Sequence, residues 1–249
     1  MQNRKHIINL STLNQKLNYM IPKVIHQFWI GPKQPPKPLM QTWKDMNPGW
    51  DYLFWDEPAL KAHFTNGLRN QRQYDDMEEL CGKCDIARLE ILDKYGGFFV
   101  DADSICLSPL DDFLLVNDSF TCYENEFERG NLLACGYLAS TPDNELMRLL
   151  IDAVSRKNIK NILEIPDRSP FDSTHRAWQL TGSGLLTKTV FSNKYTAISI
   201  YPSYYFIPRH YTGRQYAGPA RSFGDQFWGS TPGSPFYGYD EDKFKMVMP

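Results

Sequence analysis

Asp101 and Asp103 are separated by one small residue, Ala102, and Asp85 and Arg88 lie a short way before them. In extended backbone residues i and i+2 point to the same side, so the spacing predicts two carboxylates aimed at one centre. Such a pair repels itself unless a cation sits between its members. An all-oxygen donor set suits a hard ion, Mn²⁺ or Mg²⁺, shared with substrate phosphates. The competing reading is a solvated loop pair, because D-x-D is short and common. Asp85 and Arg88 stand three apart, which makes them neighbours on one helical face. Taken alone they also fit an exposed ion pair of little energetic weight.

The elements that would position these groups are legible around them. Apolar residues recur at helical spacing from Leu80 through Ile91 and Leu92 to Tyr95, and Gly96-Gly97 supplies the stop. Phe98, Phe99 and Val100 then read as a buried strand. In an open α/β sheet, ligands bind beyond the carboxyl ends of the strands, where Asp101 and Asp103 fall.

The full run D-x-x-R-x-x-x-L-x-x-x-G-G-x-x-x-D-x-D, here Asp85, Arg88, Leu92, Gly96, Gly97, Asp101 and Asp103, resembles the signature of glycosyltransferase family 32. That group includes yeast α-mannosyltransferases, bacterial capsule and lipopolysaccharide sugar transferases, and the glucosylating domain of large clostridial toxins. The resemblance, which runs from about Ile21 to Ser230, implies an α/β fold of the GT-A type. This is a Rossmann-like single domain with a central, mostly parallel sheet flanked by helices. It implies a nucleotide-sugar donor, a glycan or other hydroxyl acceptor, Mn²⁺ or Mg²⁺, and retention of the anomeric configuration without a side-chain base. Carried over position by position, Asp103 is the metal ligand. Asp101 holds ribose or sugar and orients the metal shell, Asp85 binds sugar hydroxyls, and Arg88 is a fixed cation.

Further segments extend the likeness. I-P-K-V-I-H-Q-F-W-I-G, from Ile21 to Gly31, resembles the family's opening strand, and implies that Trp29 stacks on the base; a core Trp is the alternative. His26 reads as a satisfied core histidine. Asn131 sits where the family places an Asn near the transferred sugar, or is simply a turn residue. Thr181-Gly182-Ser183 resembles the family's T-G-P turn at the donor, with Ser183 in place of Pro; a plain helix-to-strand turn is the alternative. Late in the chain, G-D-Q-F-W-G-S-T resembles H-x-W-G-S-T with Gln226 where a metal-ligating histidine is usual. An amide oxygen is an uncharged donor, so Asp225 and Ser230 become further candidate ligands.

Composition bounds the rest. A chain of 249 residues with formal net charge -2 and no basic stripe argues against nucleic acid. No apolar run is long enough for a transmembrane helix. Residues 1–20 carry a helical stripe, Leu10, Leu13, Leu17 and Met20, that reads as an N-terminal extension packed on a domain over 21–249; a peripheral membrane contact is its alternative. Five cysteines without a framework point to a reducing compartment, and thus to the cytoplasm. Cys81-Gly82-Lys83-Cys84 matches C-x-x-C but lacks a second pair at zinc-finger spacing. Local support for a serine hydrolase, a P-loop NTPase or a dinucleotide dehydrogenase is missing. The remaining rivals to a retaining hexosyltransferase are a non-catalytic nucleotide-sugar or glycan-binding protein and a glycoside hydrolase. Other expectations are a helix over 39–46, strands over 52–55, 120–123 and 132–139, a polar loop over 69–79, and a helix from Pro142 to about Arg156.

Overall fold

The computed structural model describes residues 21–160 and 177–238. The N-terminal stripe lies outside them. Strands β1 (Val24–Phe28), β2 (Asp51–Trp55), β3 (Gly97–Val100), β5 (Ser119–Cys122), β6 (Tyr137–Ser140) and β7 (Ser199–Tyr201) form one sheet in the order β2-β1-β3-β6-β5-β7. The β1–β2, β1–β3 and β5–β7 pairs are parallel, and only β6 runs against its neighbours. A second, two-stranded sheet pairs β4 (Ser104–Cys106) antiparallel with β8 (Gly224–Gln226). This is the expected mixed α/β architecture with a central, mostly parallel sheet.

Helices α1 (Lys37–Met46), α2 (Glu57–His63), α3 (Gln71–Asp76), α4 (Leu80–Tyr95), α5 (Glu145–Ser155), α6 (Ala177–Leu180) and α7 (Ser183–Ser192) accompany the sheets. β3 is buried at all four positions, as a strand covered on both faces must be. Its residues alternate between two cores. Phe99 joins α4, α5 and α7 residues such as Ile91, Leu150 and Leu186, while Phe98 and Val100 pack with Trp43, Phe120 and Phe206 on the other face.

Helix α4 is buried around most of its circumference, Asp85 and Arg88 included, so its charges must be paired internally. It ends because Gly96 and Gly97 both have positive φ, +63° and +97°. A Cβ at Gly97 would stand 2.6 Å from the Val24 carbonyl oxygen, so only glycine lets β3 lie against β1 here. The turn launches β3 directly from the helix.

Three expectations need correction. The segment predicted as a polar loop over 69–79 contains α3. Its buried Gln73 donates to the carbonyls of Ser155 and Lys157, so tertiary hydrogen bonds hold a helix that has no apolar stripe. The strand predicted over 132–139 begins only at Tyr137; before it, Leu133 makes a single bridge to Tyr123. Thr181-Gly182 joins two helices rather than a helix and a strand, and Ser183 opens α7. Among the described residues no helix is long and apolar enough to cross a membrane.

Candidate active site

The backbone beyond β3 turns at Ala102 and Asp103 instead of staying extended, which corrects the i, i+2 argument for convergence. The carboxylates still meet, because the turn is fixed from below. The Asp101 carbonyl accepts from the Gln27 side chain of β1 at 3.1 Å and from the Ser104 hydroxyl at 2.6 Å. Its N–H donates to the Gly136 carbonyl at 3.0 Å. From β8, the Gln226 amide nitrogen reaches both acids, 3.4 Å from Asp101 Oδ2 and 3.1 Å from Asp103 Oδ1. Asp103 Oδ2 accepts the Gly229 N–H at 2.6 Å.

Arg88 joins the helix to the loop. Its guanidinium donates to Asp85 Oδ1 at 3.1 Å and to Asp101 Oδ1 at 2.5 Å, and lies over the Phe99 ring at 4.7 Å. Its Nε is buried with no hydrogen-bond partner. Asp85 also accepts from the Thr181 hydroxyl at 3.4 Å. Glycines make this crowding feasible. A Cβ at Gly182 would stand 2.5 Å from Asp85 Oδ2, and one at Gly136 would stand 2.4 Å from Asp101 Oδ2.

Burial sets the electrostatics. The Asp103 carboxyl is pushed up to about 7, first by desolvation and then by the Asp101 charge, although the Gly229 N–H and the Gln226 amide favour ionisation. Desolvation likewise pushes Asp85 up to about 7 against the pull of Arg88. The thiols of Cys81 and Cys84 are raised by burial, Cys81 to about 12 and Cys84 well above its ordinary value. Neither is a thiolate near neutral pH.

Two cavities share this cluster. The first, about 450 Å³, runs from Trp29 and Tyr237 to Asp85, Arg88, Asp101 and Ser230. Trp29 is therefore a partly exposed wall residue, its indole N–H donating to the Lys33 carbonyl at 2.7 Å. The second, about 370 Å³, meets the first at Asp85, Arg88 and Ser230 and reaches Ser183 and Gln226.

Other sequence candidates fall elsewhere. Asn131 stands in an exposed turn and lines neither cavity. Asp225 points away from Gln226, as neighbours in a strand do, and accepts from Arg209 Nε at 2.5 Å; burial raises it to about 6. Sequence reasoning missed Gln27, Gly136, Tyr137 and Gly229. Only Gly136 and Gly229 lay in segments that the sequence marked, the strand expected over 132–139 and the G-D-Q-F-W-G-S-T run.

Residues 36–121 match the family model described as a glycosyltransferase sugar-binding region containing a DXD motif. Over that stretch the chain is similar to the DXD-containing glycosyltransferases. The matched region holds Asp85, Arg88, Asp101 and Asp103, the residues that carry the sequence resemblance. An uncharacterized glycosyltransferase of Acanthamoeba polyphaga mimivirus is 32% identical over 131 residues, 50% of this chain and 52% of that protein. Inositol phosphoceramide mannosyltransferase 3 of Schizosaccharomyces pombe is 32% identical over 97 residues, 38% of this chain and 27% of that protein. The chain thus spans about half or less of the length of these relatives. Among solved structures, the PaToxG glycosyltransferase aligns with a TM-score of 0.51 at 17% identity, covering 74% of this chain and 76% of its own. The ligand-free glycosyltransferase domain of the YGT toxin gives 0.51 at 11%, covering 73% and 80%. These two share the fold of this chain.

Proposed function

We propose that the chain moves a hexose or related sugar from a nucleotide sugar to a hydroxyl acceptor with retention of configuration. One observation carries this reading: Arg88 ties Asp85 to Asp101 on the wall of a cavity that also presents Trp29. An aromatic face suits a base. The buried cation and flanking carboxylates suit a diphosphate and sugar hydroxyls.

The site fits a divalent cation. Asp101 and Asp103 both lie within hydrogen-bonding reach of one nitrogen, so they define a common centre. Asp103 stays partly protonated near neutral pH while nothing of opposite charge sits beside it. Among the described residues no three His, Cys, Asp or Glu side chains gather into a metal site, so diphosphate oxygens and water would complete the shell. Asp103 and Asp101 would hold Mn²⁺ or Mg²⁺, with Ser230 nearby. The bound cation would offset the charge that builds on the leaving diphosphate. Asp85 and Arg88 hold and orient the sugar beside it. The acceptor oxygen bonds to the anomeric carbon on the face the diphosphate leaves, and its proton passes to the diphosphate oxygen, so no side-chain base is required.

A UDP-sugar is the favoured donor. GDP-mannose is the alternative, supported by the names of the Schizosaccharomyces pombe relatives. Free thiols at all five cysteines support a cytoplasmic setting. A second reading, a nucleotide-sugar-binding protein without turnover, draws on Gln226 at the position of a usual imidazole ligand. Calorimetry with UDP and GDP, each with and without Mn²⁺, tests the site. Binding of at least one nucleotide that strengthens with Mn²⁺ is expected, and no binding of either would remove the donor reading.

A further inference from the structure

We propose that Arg209 is a positioning residue, which holds the run from Asp225 to Gly229 against the two loop acids and so sets the geometry in which they receive a cation; the functional consequence rests on the donor reading. Arg209 lines neither of the two cavities. It acts through the residues it holds.

This run is what brings the acids together. Gln226 donates to both of them, and the Gly229 N–H donates to Asp103 Oδ2. The Phe227 N–H adds a bond to the Asp103 carbonyl at 2.9 Å. Strand pairing accounts for only part of the run's shape, because β4 and β8 pair over three positions in a sheet separate from the main one. Just beyond β8, Trp228 has φ of +58°. A bulky residue keeps such a conformation only where its surroundings impose it.

Arg209 imposes it from the side away from the acids. Its Nε donates to Asp225 Oδ2 at 2.5 Å, its guanidinium lies 5.6 Å from the centre of the Phe227 ring, and its carbonyl accepts the Trp228 indole N–H at 3.2 Å. Asp225 and Phe227 thus meet the arginine side chain, while Gln226 between them meets Asp101 and Asp103. Asp225 is buried, and its Oδ1 has no hydrogen-bond partner among the described residues. Arg209 is therefore what compensates a carboxylate taken out of water. Without it Asp225 would be driven toward solvent, and Gln226 and Gly229 would be drawn with it. The support is itself anchored. Phe206 and Ile207, just before it, are buried in the core. The loop over 208–216 is closed by the Arg209–Gln215 bridge and by the Tyr216 N–H, which donates to the Pro208 carbonyl at 2.8 Å.

Amide hydrogen exchange on the full chain tests the holding, and calorimetry with UDP and GDP, each with and without Mn²⁺, tests its consequence. In Arg209→Gln the amides of Phe227 and Gly229 should exchange faster by about tenfold or more, as a locally loosened segment does, with β3 amides unchanged as the check on folding. The factor by which Mn²⁺ strengthens nucleotide binding should fall by about tenfold, the scale on which groups around a metal act. Nucleotide affinity without Mn²⁺ should stay within about twofold, since Arg209 lies apart from the cavity wall. Arg209→Lys, which keeps a cation beside Asp225, should recover part of both losses. Asp225→Asn removes the other half of the pair and strands no buried charge, because Arg209 is partly exposed; it should shift both readings in the same direction, and decides the matter if Arg209→Gln fails to fold. Unchanged exchange at Phe227 and Gly229, or faster exchange with an unchanged Mn²⁺ factor, would overturn the proposal. Faster exchange in a protein whose wild type binds neither nucleotide would support the holding by Arg209 and remove the donor reading alone.

Discussion

The Tyr137 hydroxyl and the Gln226 amide oxygen are 2.9 Å apart. Burial holds the Tyr137 phenol well above its ordinary pKa, so it stays protonated and donates. The bond turns the amide nitrogen, not the oxygen, toward Asp101 and Asp103. In this arrangement Gln226 satisfies the two acids with N–H groups, and its oxygen could ligate a cation only after the amide rotates. Gln226→His replaces that amide with an imidazole and should tighten Mn²⁺ binding by roughly tenfold or more, the scale on which groups around a metal act. Electron spin resonance titration checks this, and superimposable curves would place the missing ligand elsewhere.

Gly136 is a steric requirement of the site. Its missing Cβ is the space occupied by Asp101 Oδ2. Gly136→Ala should force Asp101 off Arg88, at a stability cost of about 1–3 kcal/mol, the usual scale for overpacking. Donor affinity should fall with it. Urea denaturation and nucleotide calorimetry together read the effect, and a variant indistinguishable from wild type in both would mean that the loop yields freely.

Trp29 lines the first cavity and is only partly buried. Trp29→Ala should therefore weaken nucleotide and nucleotide sugar alike, by about 1–3 kcal/mol for a lost stacking face, with little change in melting temperature. A large drop in melting temperature with unchanged affinity would assign the ring to the core.

His26 gives the fold a pH dependence. Its Nε2 lies 2.8 Å from the Gly96 carbonyl and its Nδ1 accepts from Trp55 at 3.0 Å, a geometry only the neutral ring satisfies. Desolvation lowers its pKa from 6.5 to about 4, against the backbone bond that raises it. The unfolded chain then binds more protons between these values, so this contribution is full above pH 6.5 and is lost as pH falls toward 4. Asp85 and Asp103, raised by burial, act with the opposite sign, losing their contribution as pH rises toward 7. Comparing wild type with His26→Gln isolates the imidazole. Wild type should lose about 2 kcal/mol more between pH 7 and pH 5, measured by urea unfolding; parallel pH profiles would contradict this assignment.

The elements that carry the acids were legible because their signals are local. Helix α4 follows from its apolar spacing, its end from Gly96-Gly97, and β1 to β3 from short apolar runs. What stayed hidden depends on contacts between distant segments. Gln27 meets Asp101 across 74 positions, and Gly229 meets Asp103 across 126; no periodicity records such a meeting. Helix α3 escaped for the same reason, since Gln73 is held by carbonyls more than 80 residues away. Spacing alone also suggested an extended Asp101-Ala102-Asp103, where the backbone turns and Gln226 completes the convergence.

Nucleotide release is the most direct test of the proposed activity. The protein would be incubated with a panel of UDP- and GDP-sugars, with and without Mn²⁺, beside Asp103→Asn, which keeps the shape of the side chain and removes its charge. The account predicts Mn²⁺-dependent release from at least one donor by the wild type, and a loss of ~100-fold or more in the variant, the scale for removing a group that stabilises transition-state charge. Release at equal rates by both proteins, or release indifferent to Mn²⁺, would contradict it.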